Sequence, residues 1–160
     1  MNLNYNYWYF QNAFSPEQCD RIIKMGMQED FELGDINRNK VEKVKEEEKK
    51  DLFKTRNSHI SWIDQPWIYN LLKKYIDAAN VGAGWNFQWD WTEMLQFTKY
   101  DVGQFYDWHP DQHHYVYPED DTNENMRGKY RKLSTTLLLN DPSEFKGGEL
   151  EFHFNRTETK

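Results

Sequence analysis

Apolar positions recur at helical spacing in two early stretches of the chain and alternate with polar ones over much of the remainder. Cys19, Ile22, Ile23 and Met27 form one helical stripe. Its start is marked by Ser15 as a cap, Pro16 in the first helical position and Gln18 completing a capping box. The spacing predicts a helix over 16–28. A second helix opens at Pro66 and carries Trp67, Ile68, Leu71, Leu72, Tyr75, Ile76 and Ala79 on one side, giving 66–79. Strand-like patterns lie at 5–10, 56–63, 86–91, 94–98, 133–140 and 149–154. The clearest is Asn86-Phe87-Gln88-Trp89-Asp90-Trp91, where polar and aromatic residues alternate strictly. Early helices followed by late strands predict an α+β domain, with helices packed on one side of a β-sandwich or barrel.

Composition narrows the class. At 160 residues the chain fits a single domain, 1–160, with a real core. Aromatic residues make up 17%, which argues for a packed β-rich domain and against disorder. A formal net charge of −7 makes a poor phosphate-tracking surface and argues against non-specific nucleic-acid binding. One cysteine, Cys19, permits no internal disulfide and suits a reducing compartment. No signal-peptide pattern opens the chain, and no run approaches the ~20 apolar residues of a membrane span. The expectation is a soluble, cytoplasmic protein without membrane contact.

Two segments stand apart from this pattern. Residues 38–56 carry eight basic and five acidic side chains with few apolar ones, which reads as a solvated helix or loop. Residues 112–132 form a long polar loop. Loops of that length inside a compact domain tend to be functional or mobile, and a substrate-covering lid is one reading.

That loop leaves from the most informative stretch, Tyr100 to Asp111, read as Y-D-V-G-Q-F-Y-D-W-H-P-D. His109 and Asp111 lie two residues apart, so in extended backbone they project on one face. An imidazole and a carboxylate on one face are two of the three ligands of a facial 2-His-1-carboxylate Fe(II) site, which keeps positions open for substrate and O2. Alone, H-x-D is weak evidence, since the pair occurs in many surface loops.

The wider pattern is more specific. Tyr100 to Asp111 is followed by R-K-L-S-T-T-L-L-L-N-D (Arg131 to Asp141) and by G-G-E-L-E-F (Gly147 to Phe152). In order and spacing the chain resembles the Fe(II)/2-oxoglutarate-dependent oxygenases of the prolyl 4-hydroxylase type. The F-S-P-E-Q-C helix start and the Trp-rich middle also look like small hydroxylases of that group. The resemblance implies a double-stranded β-helix, or jelly-roll, supported by the two N-terminal helices. It implies His109 and Asp111 as iron ligands, with Fe(II) and 2-oxoglutarate as cofactor and co-substrate and ascorbate as an accessory. Tyr100, Leu138 and Leu150 match positions lining the co-substrate and substrate pocket, and Tyr106, three residues before His109, reads equally as a pocket or a core residue. The implied reaction is a dioxygenase one: O2 and 2-oxoglutarate give succinate and CO2 while a C–H bond of a prolyl, other amino-acid, peptide or small-molecule substrate is hydroxylated.

The family pattern continues to a distal His and an Arg or Lys for the far carboxylate of 2-oxoglutarate, and neither occurs before Lys160. His153 falls on the face opposite Leu150, Phe152 and Phe154, and His113 and His114 sit on the loop, so none is favoured as third ligand. The expectation is a C-terminally truncated or incomplete form of a longer enzyme, or a natural short form that has lost catalysis. The alternative function is therefore an inactive jelly-roll binding module. Zinc-dependent hydrolysis is weaker, because the clustered His or Cys set of such sites is missing.

Overall fold

The computed structural model describes residues 3–34, 55–112 and 115–153. Most of the charged run at 38–56, His113, His114 and the end of the chain from Phe154 lie outside the described residues.

Helix α1 spans Pro16–Gly26. The Ser15 hydroxyl accepts from the Gln18 backbone N–H at 3.3 Å, while Gln18 Oε1 accepts from the Ser15 backbone N–H at 2.8 Å. Two orphan donors of the first turn are thus satisfied, as the sequence predicts. Helix α2 spans Pro66–Gly82, a few residues longer than its apolar stripe. Ile68 and Leu72 face inward, and Asn80 is buried near its end. The Asn80 carboxamide donates to the Phe87 carbonyl at 2.8 Å and accepts from the Phe87 N–H at 3.0 Å. That clamp turns the chain back along the helix.

Strands β1 (Glu32–Leu33), β3 (His59–Ile63) and β4 (Leu95–Lys99) form one antiparallel sheet in the order β1-β3-β4. Its longest ladder pairs His59 with Lys99 and Ile63 with Leu95. Strands β2 (Arg56–Asn57) and β5 (Phe105–Tyr106) form a second, two-stranded sheet. The core lies between the helices and the larger sheet, where Phe14, Ile22, Ile63, Ile68, Leu72 and Phe97 cluster. The Ser61 hydroxyl donates to the Gly26 carbonyl at 2.8 Å, fixing the end of α1 on β3.

The architecture is α+β with two helices and small antiparallel sheets. Several expected strands have no ladder pairing: 5–10, 86–91, 133–140 and the described part of 149–154. The side-chain alternation is nonetheless present. In 85–90 the aromatic rings of Trp85, Phe87 and Trp89 are partly buried, and the polar residues between them are exposed. Trp89 donates from Nε1 to Asp77 at 3.1 Å and lies under the Lys73 ammonium, so this segment packs on α2. Leu137 and Leu139 likewise reach the core while Leu138 points outward. Among the described residues, no helix is long and apolar enough to cross a membrane.

Candidate functional site

The site is built from the smaller sheet outward. β4 ends at Lys99, and the turn Asp101 to Gln104 reverses the chain, with Gln104 N–H donating to the Asp101 carbonyl at 3.0 Å. Gly103 supplies the positive φ of 80° that this reversal requires, at no steric cost to a residue lacking Cβ. β5 then pairs with β2, placing Tyr106 opposite Arg56, and the Asp107 N–H donates to the Thr55 carbonyl at 2.8 Å. His109 and Asp111 follow directly on this anchored segment.

The His109 ring is fixed on two sides. Its Nδ1 lies 2.7 Å from the Asp107 carbonyl oxygen. A carbonyl only accepts, so that bond places a proton on Nδ1 and leaves Nε2 to face the carboxylate. The ring also stacks on Tyr106, with centroids 3.4 Å apart and planes 11° from parallel. Nε2 faces Asp111 Oδ1 at 3.3 Å. At that separation the two groups can share a proton as an ion pair or, with Nε2 deprotonated, a cation. Two metal–ligand bonds of about 2.1 Å at a roughly right angle span about 3 Å, so the pair fits adjacent positions on one divalent ion. The side chains are 29% and 57% exposed, which leaves the point between them open to solvent and small molecules. Among the described residues, no group of three or more His, Cys, Asp or Glu converges on one point.

Tyr106 lies against this pair, and Tyr100 lies near Tyr106 and Arg56. Burial pushes the Tyr100 phenol up, and the nearby Arg56 guanidinium opposes that shift. Burial is also the main cause at Tyr106, again opposed by Arg56 and reinforced by the Asp111 carboxylate. Both phenols therefore stay protonated and can donate to an anion. Arg131 closes another side. It makes two bonds of 2.5 Å to the Glu93 carboxylate, which with Asp111 pushes its own pKa up.

The structure brings together Tyr106, His109 and Asp111, with Tyr100 near Tyr106 and Arg56. It leaves Leu138 and Leu150 outside any strand, 58% and 62% exposed. His153 makes an edge-on contact with the Trp108 ring at 5.9 Å. Sequence reasoning missed Arg56, which is 5% exposed and lies 4.3 Å from the centre of the Tyr106 ring. The signal was present: Arg56, Ser58 and Ile60 alternate onto one face, and all three are buried. It was obscured by counting Arg56 with the charged run before it.

No curated protein and no solved structure matches the chain. Residues 95–160, which include the whole of the Tyr100 to Asp111 stretch, match the model of the 2OG-Fe(II) oxygenase superfamily, and this match supports that superfamily.

Proposed function

We propose that the protein is a non-haem Fe(II)/2-oxoglutarate-dependent dioxygenase in which His109 and Asp111 hold the metal. The observation that carries the reading is the pairing of His109 Nε2 with the Asp111 carboxylate, with Nδ1 satisfied by the Asp107 carbonyl. Such a backbone bond to the far nitrogen is how ligating histidines are oriented. The superfamily match supports the same chemistry. Bound iron would supply O2 activation coupled to decarboxylation of 2-oxoglutarate. The chain's own residues hold, orient and shield. Nδ1 of His109 is held by the Asp107 carbonyl, Tyr106 fixes its ring plane, and Tyr100 donates a phenolic hydrogen bond to a carboxylate.

The substrate we favour is a prolyl or other amino-acid residue in a peptide. Trp108 and Tyr115 stand on either side of the pair along the chain and are 59% and 55% exposed, and flat aromatic faces suit a proline ring. A jelly-roll around this site and a cytoplasmic place of action belong to the same proposal. The resemblance adds ascorbate as an accessory.

A binding module without catalysis is the second reading, favoured by the absence of a third converging ligand among the described residues. Metal binding followed by Mn(II) paramagnetic resonance separates the pair's role from the fold's. His109→Ala and Asp111→Asn are each expected to weaken Mn(II) binding by about ten- to a hundredfold while the far-UV dichroism is unchanged. Unaltered Mn(II) affinity in both variants would remove the site. Metal binding without any succinate formation would leave the binding module.

A further inference from the structure

Gln104 ends the turn that leads into β5, and both ends of its carboxamide are engaged. Its Oε1 accepts from the Asp101 backbone N–H at 2.8 Å. A backbone N–H needs an acceptor opposite it, so that bond fixes which end of the carboxamide is the oxygen. The other end is the NH2 group, with two hydrogens to donate. Its two neighbours are Asn57 Oδ1 and His59 Nδ1, each at 3.3 Å. A donor on that side requires a lone pair on His59 Nδ1, which puts the proton of the neutral ring on Nε2.

Through these bonds one side chain ties the turn to both sheets. Asn57 lies on β2, opposite Phe105, and His59 lies on β3, opposite Lys99. Two residues beyond Gln104, the Tyr106 ring stacks on His109. Gln104 thus holds the strand from which the His109–Asp111 pair departs.

A carboxylate competes for the same imidazole nitrogen. Asp101 Oδ2 lies 3.7 Å from His59 Nδ1. Lys99 Nζ bonds both Asp101 oxygens at 2.7 Å and holds that carboxyl below the usual carboxylate range. Asp101 is therefore an anion throughout pH 5 to 8, the range in which imidazoles ordinarily change charge. A hydrogen on Nδ1 would set N–H against N–H at Gln104 and N–H against carboxylate at Asp101. The first contact turns repulsive and the second attractive. Lys99 opposes the ring's charge from β4. On β1, Glu32 neighbours the partner residue Leu33 and accepts from Trp62 Nε1 at 2.5 Å. On β2, Arg56 donates to Ser58 and Gln96, and the Phe31 ring covers the imidazole edge-on at 6.2 Å.

The geometry points to Gln104 as a positioning residue for β5 and the His109–Asp111 pair, released when His59 takes up a proton and turns to Asp101. The hold on β5 needs no metal, whereas its consequence for a metal site rests on the dioxygenase reading.

The test keeps these two apart. The full chain without metal is titrated by NMR from about pH 8 to about pH 5.5. The nuclei followed are the His59 ring nitrogens, the Gln104 NH2 and the Asp107 amide, which is bonded to the Thr55 carbonyl. His59 Nδ1 is expected to carry no hydrogen at the alkaline end. As His59 titrates, the Gln104 NH2 resonances should move with it. Protection of the Asp107 amide against exchange should fall about three- to tenfold, the loss of a modest hydrogen bond. His59→Gln keeps an acceptor without a titration, so the step should vanish. Gln104→Glu puts an anion beside the ring, so protection should rise on acidification, a reversal that loss of packing alone would not produce. Mn(II) affinity is then compared at the two ends of the range. Its loss on acidification should be at least about threefold greater in wild type than in His59→Gln, because proton competition at His109 itself is common to both. If the variants fail to fold, wild type decides. A hydrogen on Nδ1 at the alkaline end, or a His59 titration that leaves Gln104 and the Asp107 amide unmoved, overturns the proposal. Equal losses of Mn(II) affinity overturn the positioning of the pair. An intact protection step with no Mn(II) binding at any pH would fell the dioxygenase reading and support the hold of Gln104 on β5.

Discussion

Individual side chains around the pair are fixed by contacts that leave little slack. Gly34 shows this most sharply. An added Cβ would come within 2.3 Å of Ser58 Oγ and 2.7 Å of Arg56 Nε, distances that real Cβ contacts do not show. Neither neighbour is a freely swinging chain end, since Ser58 and Arg56 bond each other at 2.9 Å and both are buried. Gly34→Ala is therefore expected to destabilise the protein by about 1–3 kcal/mol through overpacking. The same substitution should displace Arg56 from Gln96. Urea unfolding measures the first effect, and an unchanged midpoint would mean that β1 yields more easily than its packing indicates.

At the level of elements, what could be read from sequence divides by range. The helices were legible because their signals are local: Ser15, Pro16 and Gln18 make the α1 cap, and Ile68 and Leu72 sit one turn apart on α2. β3 and β4 were legible from their own patterns. The segments 86–91 and 133–140 have the predicted alternation but no ladder, because pairing depends on a partner strand that no local pattern names. Asn80 supplies the competing interaction for the first of these, tying Phe87 back to the helix end. At the site, the H-x-D pair was legible from spacing alone, whereas Arg56 reaches Tyr106 only through the β2–β5 register. The 112–132 loop presents a similar contrast. Its described part is held by Lys129 to Asp90 at 2.7 Å, by Arg131 to Glu93, and by the Tyr117 N–H to the Lys129 carbonyl at 2.8 Å. Most of these anchors lie at its far end, near Lys129 to Arg131. If the loop is a lid, amide hydrogen exchange should slow over 115–126 on adding substrate and stay constant over 129–132. Equal exchange throughout, with and without substrate, would rule the lid out.

For the molecule as a whole, four buried or half-buried tyrosines set one pH limit. Tyr69, Tyr100, Tyr106 and Tyr117 all have phenols pushed up, chiefly by burial. The folded state thus retains protons that the unfolded chain releases near pH 10, so stability is full below that value and falls as pH rises above it. Thermal midpoints between pH 8 and 11 should decline only beyond about pH 10, and Tyr106→Phe should flatten the decline. A second whole-molecule expectation concerns turnover. Among the described residues two ligand-type side chains converge, where a facial iron site uses three, so the open coordination that favours O2 chemistry comes with weak retention of the metal. The 160-residue chain is therefore expected to bind Fe(II) or Mn(II) weakly and to form little succinate from 2-oxoglutarate. What succinate it forms should vanish in His109→Ala, because the remaining carboxylate cannot hold the ion alone. Sustained, stoichiometric turnover by the 160-residue chain would contradict this and point to a third ligand. His113, His114 and His153 are the histidines to replace next, and the one whose loss abolishes both Mn(II) binding and turnover would complete the set.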